Sequence, residues 1–251
     1  METKRRNFQG VLNILSFNRH FYWFGLIALA AIFVSKYFTQ WWSNEWFYVV
    51  VIAFAYGLVI PLIVSAYVYD YSGFYDFNWL KALKIDDTKR KVNLNINAGF
   101  DETSYIIKKI LPESYLQVYD FYNEKQHTEP AIVRARKVSL VYPNTQQINS
   151  NAIPLADHSV DTIFLLSAVH EIRNHNEKVL FLKECHRVCK PNGRVVMVEH
   201  LRDFPNFLAF TIGFTHFFSR SVWKKAFESA GFKGFNETKF TPFMSIFNCR
   251  P

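Results

Sequence analysis

The stretch that decides the fold is residues 149–201, NSNAIPLADHSVDTIFLLSAVHEIRNHNEKVLFLKECHRVCKPNGRVVMVEHL. Within it, residues 161–167 and 194–199 are two continuous apolar runs of strand length. Residues 177–189 lie between them and place their apolar side chains largely on one stripe of a helix, which the turn at 191–193 ends. Two buried strands joined by a helix predict a right-handed crossover unit of a parallel sheet.

This stretch resembles the second half of a class I S-adenosylmethionine-dependent methyltransferase of the small-molecule type. The matching segments are Ser-Val-Asp at 159–161, Ala-Val-His-Glu at 168–171 and Lys-Pro-Asn-Gly at 190–193. The resemblance implies an α/β fold, a Rossmann-like seven-stranded sheet with an antiparallel last strand, and S-adenosylmethionine as the cofactor. Residues 139–142 are predicted as a short third strand, and residues 235–241 and 243–249 as the closing antiparallel pair.

The chain before residue 80 differs in composition from the rest and holds five of the six Trp residues. Residues 21–38 and 47–69 are apolar and long enough to cross a hydrocarbon core of about 30 Å, so we predict two transmembrane helices. The aromatic stretch 67–80 is predicted to lie in the headgroup layer. This gives a membrane region at 1–80 and a methyltransferase-like domain at 81–251. A signal peptide at 21–38 is the alternative, which the second span disfavours.

Basic residues flank the predicted hairpin on both sides, with Lys4, Arg5 and Arg6 before it and several Lys after it. The positive-inside rule then places both ends in the cytoplasm. We therefore predict a multi-pass protein of the cytoplasmic (inner) membrane, with the soluble domain on the cytoplasmic side and the lipid bilayer as a partner. The net charge of +8 is scattered, so the sequence does not favour nucleic-acid binding. It leaves the oligomeric state open.

The cofactor turn of the resembled family has an acidic residue followed by three alternating glycines after the first strand. Here the turn reads Asn95-Ile-Asn97-Ala-Gly99-Phe-Asp101, so only Gly99 of the three remains. Asn97 can replace a glycine because Asn adopts left-handed backbone conformations more readily than most residues. Asp101 adds a charge that could pair with the cationic cofactor. The resemblance implies that Asn95, Asn97, Gly99 and Asp101 line the cofactor.

Two further positions match cofactor contacts of the family. Asp120 ends the predicted second strand about 20 residues after the turn, where an acidic side chain accepts hydrogen bonds from both ribose hydroxyls. The alternative is that Asp120 caps the next helix. Asn149 lies where the family often has an acidic residue that accepts from the adenine amino group, and its amide oxygen can do the same.

Candidate catalytic residues follow from the edge of the sheet at which the parallel strands end, because ligands of open α/β sheets bind there. His170 and Glu171 follow one of these strands, and His200 follows the next. Methyl transfer to oxygen or nitrogen needs a base near neutral pH, and a His side chain has a suitable pKa. A structural role is the alternative for each His. The spacing of His170, His175, His200 and His216 does not predict a metal site.

The function that these observations favour is a membrane-anchored S-adenosylmethionine-dependent methyltransferase. The membrane hairpin indicates a hydrophobic or amphipathic small-molecule acceptor of the lipid, phenol or polyene type. The alternative is a non-catalytic, membrane-anchored binding or scaffold module of the same fold, because the glycine turn is eroded and fold alone does not imply activity.

Overall fold

A computed structural model describes residues 5–85 and 87–251. Its centre is a seven-stranded sheet of order β3-β2-β1-β4-β5-β7-β6, in which β7 runs antiparallel to both of its neighbours and the remaining pairs are parallel. The strands are β1 Val92–Asn97, β2 Tyr115–Asp120, β3 Gln146–Gln147, β4 Val160–Leu166, β5 Cys189–His200, β6 Gly234–Lys239 and β7 Met244–Arg250. The predicted Rossmann-like fold class and the antiparallel last strand are confirmed.

The α-helices in the described part of the chain are α1 Gln9–Phe17, α2 Arg19–Phe38, α3 Asn44–Ser65, α4 Asn78–Ala82, α5 Ser104–Ile110, α6 Pro130–Arg136, α7 His175–Val188, α8 Phe204–Phe210 and α9 Arg220–Ser229. Helix α7 is the crossover between β4 and β5 that the deciding stretch predicts. Asn174 caps it, since its side chain accepts from the Glu177 amide.

The third strand lies elsewhere than predicted. Residues 139–142 form no strand, and Leu140 and Val141 are exposed. The short β3 instead pairs with the end of β2. An apolar run of this length is ambiguous, and here its two aliphatic side chains stay exposed while Tyr142 packs against Tyr105 of α5. The Lys-Pro-Asn-Gly turn also differs, because residues 190–193 fall within β5, beside an irregularity in its pairing with β4.

The sheet is covered on both faces, so its central strands are buried whichever way their side chains point. In β4, Ile163 and Leu165 face one core cluster, whereas Phe164 and Leu166 face the other. The first cluster includes the buried side of α7, and the second includes residues from α5. A central parallel strand of this kind reads as a continuous apolar run because both of its faces are dry.

The aromatic stretch 67–80 differs from the predicted headgroup-layer segment, because several of its side chains are buried in the core. It continues α3 as a π-helix, Ala66–Tyr71, and a 3₁₀ turn, Phe74–Asp76. Val68, Phe74 and Phe77 pack into the second core cluster and are at most 2% exposed, whereas Tyr67 and Tyr71 remain 44% and 65% exposed. The sheet face around Phe164 needs an apolar cover, and this stretch provides part of it.

Helices α2 and α3 are both long and apolar enough to cross a membrane. None of the described residues of α2 is buried, and most of α3 is also uncovered. A core helix of a soluble protein would be mostly buried. The two helices are therefore candidate spans by length and composition. Lys4, which contributed to the predicted orientation, lies outside the described residues.

Candidate active site

The turn after β1 is held by its own polar side chains. Asn97 accepts a hydrogen bond from the Gly99 amide at 2.7 Å, and Gly99 has a φ of 79°, in the left-handed region that glycine adopts without strain. Asn95 is buried and donates to the hydroxyl oxygens of Thr103 and Ser104. The side chain of Asn95 therefore joins the turn to the start of α5.

Asp101 has one bonded and one unpartnered oxygen. Its Oδ1 accepts from the amides of Thr103 and Ser104, both at 2.9 Å. Burial raises the pKa of the Asp101 carboxyl, although these hydrogen bonds act in the opposite direction. Its Oδ2 is buried without a partner, and so is the Nδ2 donor of Asn97. A buried acceptor and a buried donor without partners, from the same turn, fit the ammonium and carboxylate of an amino-acid ligand.

Asp120 lies at the end of β2, beside that turn. Its Oδ1 accepts from the Tyr122 amide at 2.8 Å, and its Oδ2 accepts from Arg136 at 2.7 Å. Its oxygens thus bond to the loop after β2 and to a guanidinium, rather than to the first turn of a helix. The helix-cap alternative for Asp120 does not describe this arrangement.

A cleft of about 580 Å³ opens next to Asp120. Asn149 lies on its wall with an exposed side chain, as the resemblance implies for an adenine contact. The volume is within the usual range for small-molecule sites. The lining residues are Tyr122, Asn123, Glu124, Arg136, Gln147, Ile148, Asn149, Ala152 and Pro154.

His170 lies in a 3₁₀ turn, Val169–Glu171, directly after β4. Its Nδ1 is 2.8 Å from Oε2 of Glu199, which belongs to the neighbouring strand β5. Burial lowers the pKa of His170, but the charges of and hydrogen bonds with Glu199 and Glu171 outweigh it and raise the pKa to about 10. The imidazole therefore carries a proton at neutral pH.

Two further groups face the other side of the His170 ring. Glu171 is 6% exposed, its Oε1 is 3.5 Å from Nε2 of His170, and its Oε2 is unpartnered. The ring of His216 lies 5.0 Å from that of His170, and its Nδ1 is 2.8 Å from Glu129. Ligand atoms of His170, Glu171 and His216 come within 4.8 Å of one another, a spacing that could also hold a metal ion.

Neither His216 nor Glu129 was predicted to lie beside His170. Neither has a motif around it, and each is more than 40 residues from His170, so no local spacing pattern links them. His175, which the sequence groups with His170, His200 and His216 as a possible metal ligand, is an exposed residue at the start of α7. Only the return of the segment after β5 brings His216 to His170.

His200 is placed differently from His170. It is 5% exposed, its Nδ1 is 2.9 Å from the Phe243 carbonyl oxygen, and its Nε2 is 2.8 Å from the Tyr69 hydroxyl. Burial lowers the pKa of His200 to about 4, so the ring is neutral. With both nitrogens bonded inside the protein, His200 has no atom free to take a proton from an acceptor. The geometry gives it the structural role that the sequence analysis left open.

An apolar segment lies between this site and α3. It comprises α8 and the 3₁₀ turn Thr211–His216, and Phe204 and Ile212 on it are 70% and 80% exposed. The Tyr56 hydroxyl on α3 donates to the Leu208 carbonyl oxygen at 2.7 Å. Arg173 donates to the carbonyl oxygens of His170 and His216. The segment therefore connects a candidate span to His170.

The comparison with protein families matches residues 109–197 to the family described as "Methyltransferase domain". Human N-acetylserotonin methyltransferase, solved in complex with S-adenosylmethionine, has a TM-score of 0.54 over 96% of this chain and 70% of that chain, at 14% identity. Residues 109–197 therefore form a methyltransferase domain, within a fold similar to that of class I S-adenosylmethionine-dependent methyltransferases. The cofactor of this methyltransferase domain is S-adenosylmethionine, and the unpartnered atoms of Asn97 and Asp101, together with the cleft beside Asp120, fit it.

The matches to curated relatives cover only part of each relative's length. O-methyltransferase 3 of Dictyostelium discoideum is 28% identical over 183 residues, which are 62% of this chain and 40% of the relative. The ubiquinone/menaquinone biosynthesis C-methyltransferase UbiE of Rubrivivax gelatinosus is 40% identical over 70 residues, 26% of this chain and 27% of the relative. The chain thus spans less than half the length of the curated relatives it matches.

Proposed function

We propose that the protein is a membrane-anchored methyltransferase that methylates a hydroxyl group of a hydrophobic small molecule of the lipid, phenol or polyene type. The observation that carries the proposal is the His170–Glu199 pair. It lies at the same edge of the sheet as Asp120, and it lies beside an apolar segment that contacts α3. A candidate base, the edge of the sheet where the cofactor would bind and an apolar path for the acceptor thus lie close together.

The chemistry assigned to the chain is positioning and proton transfer. The cofactor, when bound, supplies an electrophilic methyl group on a sulfonium. Only the neutral form of His170 can accept a proton. In that form Glu199 fixes the ring through Nδ1, and Nε2, which lies 3.5 Å from Oε1 of Glu171, takes the acceptor proton. The ring is 17% exposed at its side chain, which allows contact with an acceptor but little bulk water. Alignment of the reacting groups provides the remaining acceleration.

The membrane part of the proposal rests on the uncovered apolar surface of α2 and α3. Two such helices in water would expose far more contiguous apolar surface than soluble monomers tolerate. We place the hairpin in the cytoplasmic membrane with the methyltransferase domain on the cytoplasmic side. An acceptor dissolved in the bilayer would then reach His170 along α8. The name of the UbiE relative refers to the biosynthesis of ubiquinone and menaquinone, which agrees with a hydrophobic acceptor.

A non-catalytic scaffold is the second candidate, and one observation favours it. The cofactor turn has lost two glycines, and a guanidinium covers the remaining one. A scaffold, however, has no need of a buried His–Glu pair, because leaving charged groups in a dry site costs stability unless they serve a function.

Turnover by a His170 variant separates the two candidates. Membranes containing wild type, His170→Ala or the exposed control His175→Ala are given S-adenosylmethionine with an isotopically labelled methyl group, and labelled lipid and phenolic products are quantified. Loss of a positioned base costs about 100-fold to 10,000-fold in rate, so His170→Ala should lose product while the control keeps it. Equal product from all three proteins would exclude His170 as the base. No product from any of them, despite cofactor binding, would favour the scaffold.

A further inference from the structure

Arg136, the last residue of α6, lies across the cofactor edge of the sheet. A Cβ atom added to Gly99 would stand 1.4 Å from Nη1 of Arg136, so the guanidinium rests directly on the glycine. The same nitrogen donates to Asp120 at 2.7 Å and lies 3.4 Å from the Ala98 carbonyl oxygen. The guanidinium also stacks over the ring of Tyr122, at 4.0 Å from its centroid.

This one side chain covers two parts of the cofactor site. Gly99 is the remaining glycine of the turn at which the backbone approaches the cofactor, and Asp120 is the acceptor for the ribose hydroxyls. Both Asp120 oxygens already have partners, since Oδ1 bonds the Tyr122 amide and Oδ2 bonds Arg136. Each carboxylate oxygen can accept a second hydrogen bond. The guanidinium, however, lies against both Oδ2 and Gly99, so it occupies space that a ribose at this position would need.

The ion pair is strong enough to compete with a ligand and weak enough to open. The side chains of Arg136 and Asp120 are 27% and 11% exposed, so the pair is partly shielded from water. A charge-assisted hydrogen bond of this kind is stronger than one between a carboxylate and a sugar hydroxyl. The outer side of the guanidinium borders the open cleft, and this leaves it room to swing away.

We propose that Arg136 is a cofactor-selecting residue, which occupies Asp120 in the free protein and must be displaced by the ribose of the incoming cofactor. A ligand that contains adenosine can replace the Arg136–Asp120 bond with hydrogen bonds from its ribose hydroxyls, whereas a ligand without a ribose cannot. The inference rests on the proposed function for its cofactor, but it concerns binding rather than turnover. It also accounts for the eroded turn, because the guanidinium fills space above Gly99 that a bound cofactor would fill.

Calorimetry with three probes tests the proposal on the full-length protein in detergent. S-adenosylmethionine and adenosine contain the ribose, and methionine does not. Arg136→Gln removes the cation but keeps a polar side chain, and Lys137→Ala, at the exposed next position, is the matched control. Because Arg136→Gln removes the ion pair that competes with the ribose for Asp120, this variant should bind both ribose ligands about 5-fold to 20-fold more tightly than wild type. Its affinity for methionine, and all affinities of Lys137→Ala, should stay at the wild-type values.

A salt titration of the wild type supplies a second measurement that needs no variant. Adenosine is uncharged, so salt acts on its binding mainly through the Arg136–Asp120 pair, which it screens. Adenosine affinity of the wild type should rise between 0.05 and 0.5 M NaCl, roughly two-fold or more. In Arg136→Gln it should not change.

The other outcomes reject either the role of Arg136, or the proposed methyltransferase activity, or both. Equal or weaker binding of adenosine by Arg136→Gln, with a flat salt response of the wild type, would reject the role of Arg136 and leave the methyltransferase proposal standing. Tighter binding without any methyl transfer by the wild type would keep the role of Arg136 and reject the proposed activity. Binding of neither ribose ligand by any of the proteins would reject both.

Discussion

At the scale of single residues, the charge state of His170 sets how the proposed reaction responds to pH. Its pKa of about 10 means that the neutral, proton-accepting form is scarce at pH 7 and becomes common only as the pH approaches 10. The rate constant kcat should therefore rise about tenfold per pH unit between pH 7 and 9. Stopped assays across this range measure it.

The variant Glu199→Gln checks the cause of that pH dependence. It removes the neighbouring charge that raises the pKa of His170, so the midpoint of the profile should move toward the ordinary His value of about 6.5. The mutant should then depend less on pH above 7, although the lost orientation of the ring lowers its maximal rate. A wild-type midpoint near 6.5 would contradict the ion-pair account.

Asp120 makes a second prediction at this scale. Asp120→Ala removes the ribose acceptor and should weaken S-adenosylmethionine binding, measured by calorimetry. The loss should be about 1 kcal/mol, less than the roughly 1.5–3 kcal/mol of a hydrogen bond to a charged group, because wild type gives up the Arg136 pair on binding. Asp157→Ala is the control, since Asp157 is an exposed partner of Arg187 before β4, at the opposite edge. Unchanged affinity in folded Asp120→Ala would remove Asp120 from the cofactor site.

At the scale of elements, α8 and the turn after it should control access of the acceptor. Ile212→Lys places a charge on an 80% exposed apolar position of this segment. Losing the contact of one large apolar side chain costs about 1.5 kcal/mol, so KM for a membrane-dissolved acceptor should rise about tenfold. Val141→Lys alters an apolar residue outside the segment that is 71% exposed and should leave KM unchanged. Equal effects of the two substitutions, measured in acceptor-loaded vesicles, would refute a specific entrance.

At the scale of the whole molecule, the proposed orientation places the loop between α2 and α3 outside the cell. A cysteine at Ser43, the residue before α3, should react with an impermeant thiol reagent in intact cells. The background should be low, because Cys185, Cys189 and Cys249 are all buried. Labelling only after lysis would reverse the hairpin and place the catalytic edge on the wrong side for cytoplasmic S-adenosylmethionine.

The sequence by itself determined the sheet and the crossover. Parallel strands buried on both faces are mostly apolar, as residues 163–166 of β4 and 195–198 of β5 are, and a helix between them returns to the same sheet. The central strand β1 is an exception, since it buries three Asn side chains. The positions at strand ends, including Asp120 and His170, followed from that geometry alone. The resemblance to methyltransferases rested on the same local segments, and these are properties of short windows of chain.

The tertiary structure decided which of those strand-end residues have free atoms. His170 and His200 look alike in the sequence, but Glu199 charges the first, while Phe243 and Tyr69 use both nitrogens of the second. Arg136 bonds Asp120 from the end of α6, 16 residues further along the chain, a contact that no sequence motif marks. The aromatic stretch 67–80 has the composition of a membrane-interface segment, yet part of it covers one face of the sheet. Apolar side chains are buried against whichever apolar surface is within reach, and the local sequence pattern does not reveal that surface.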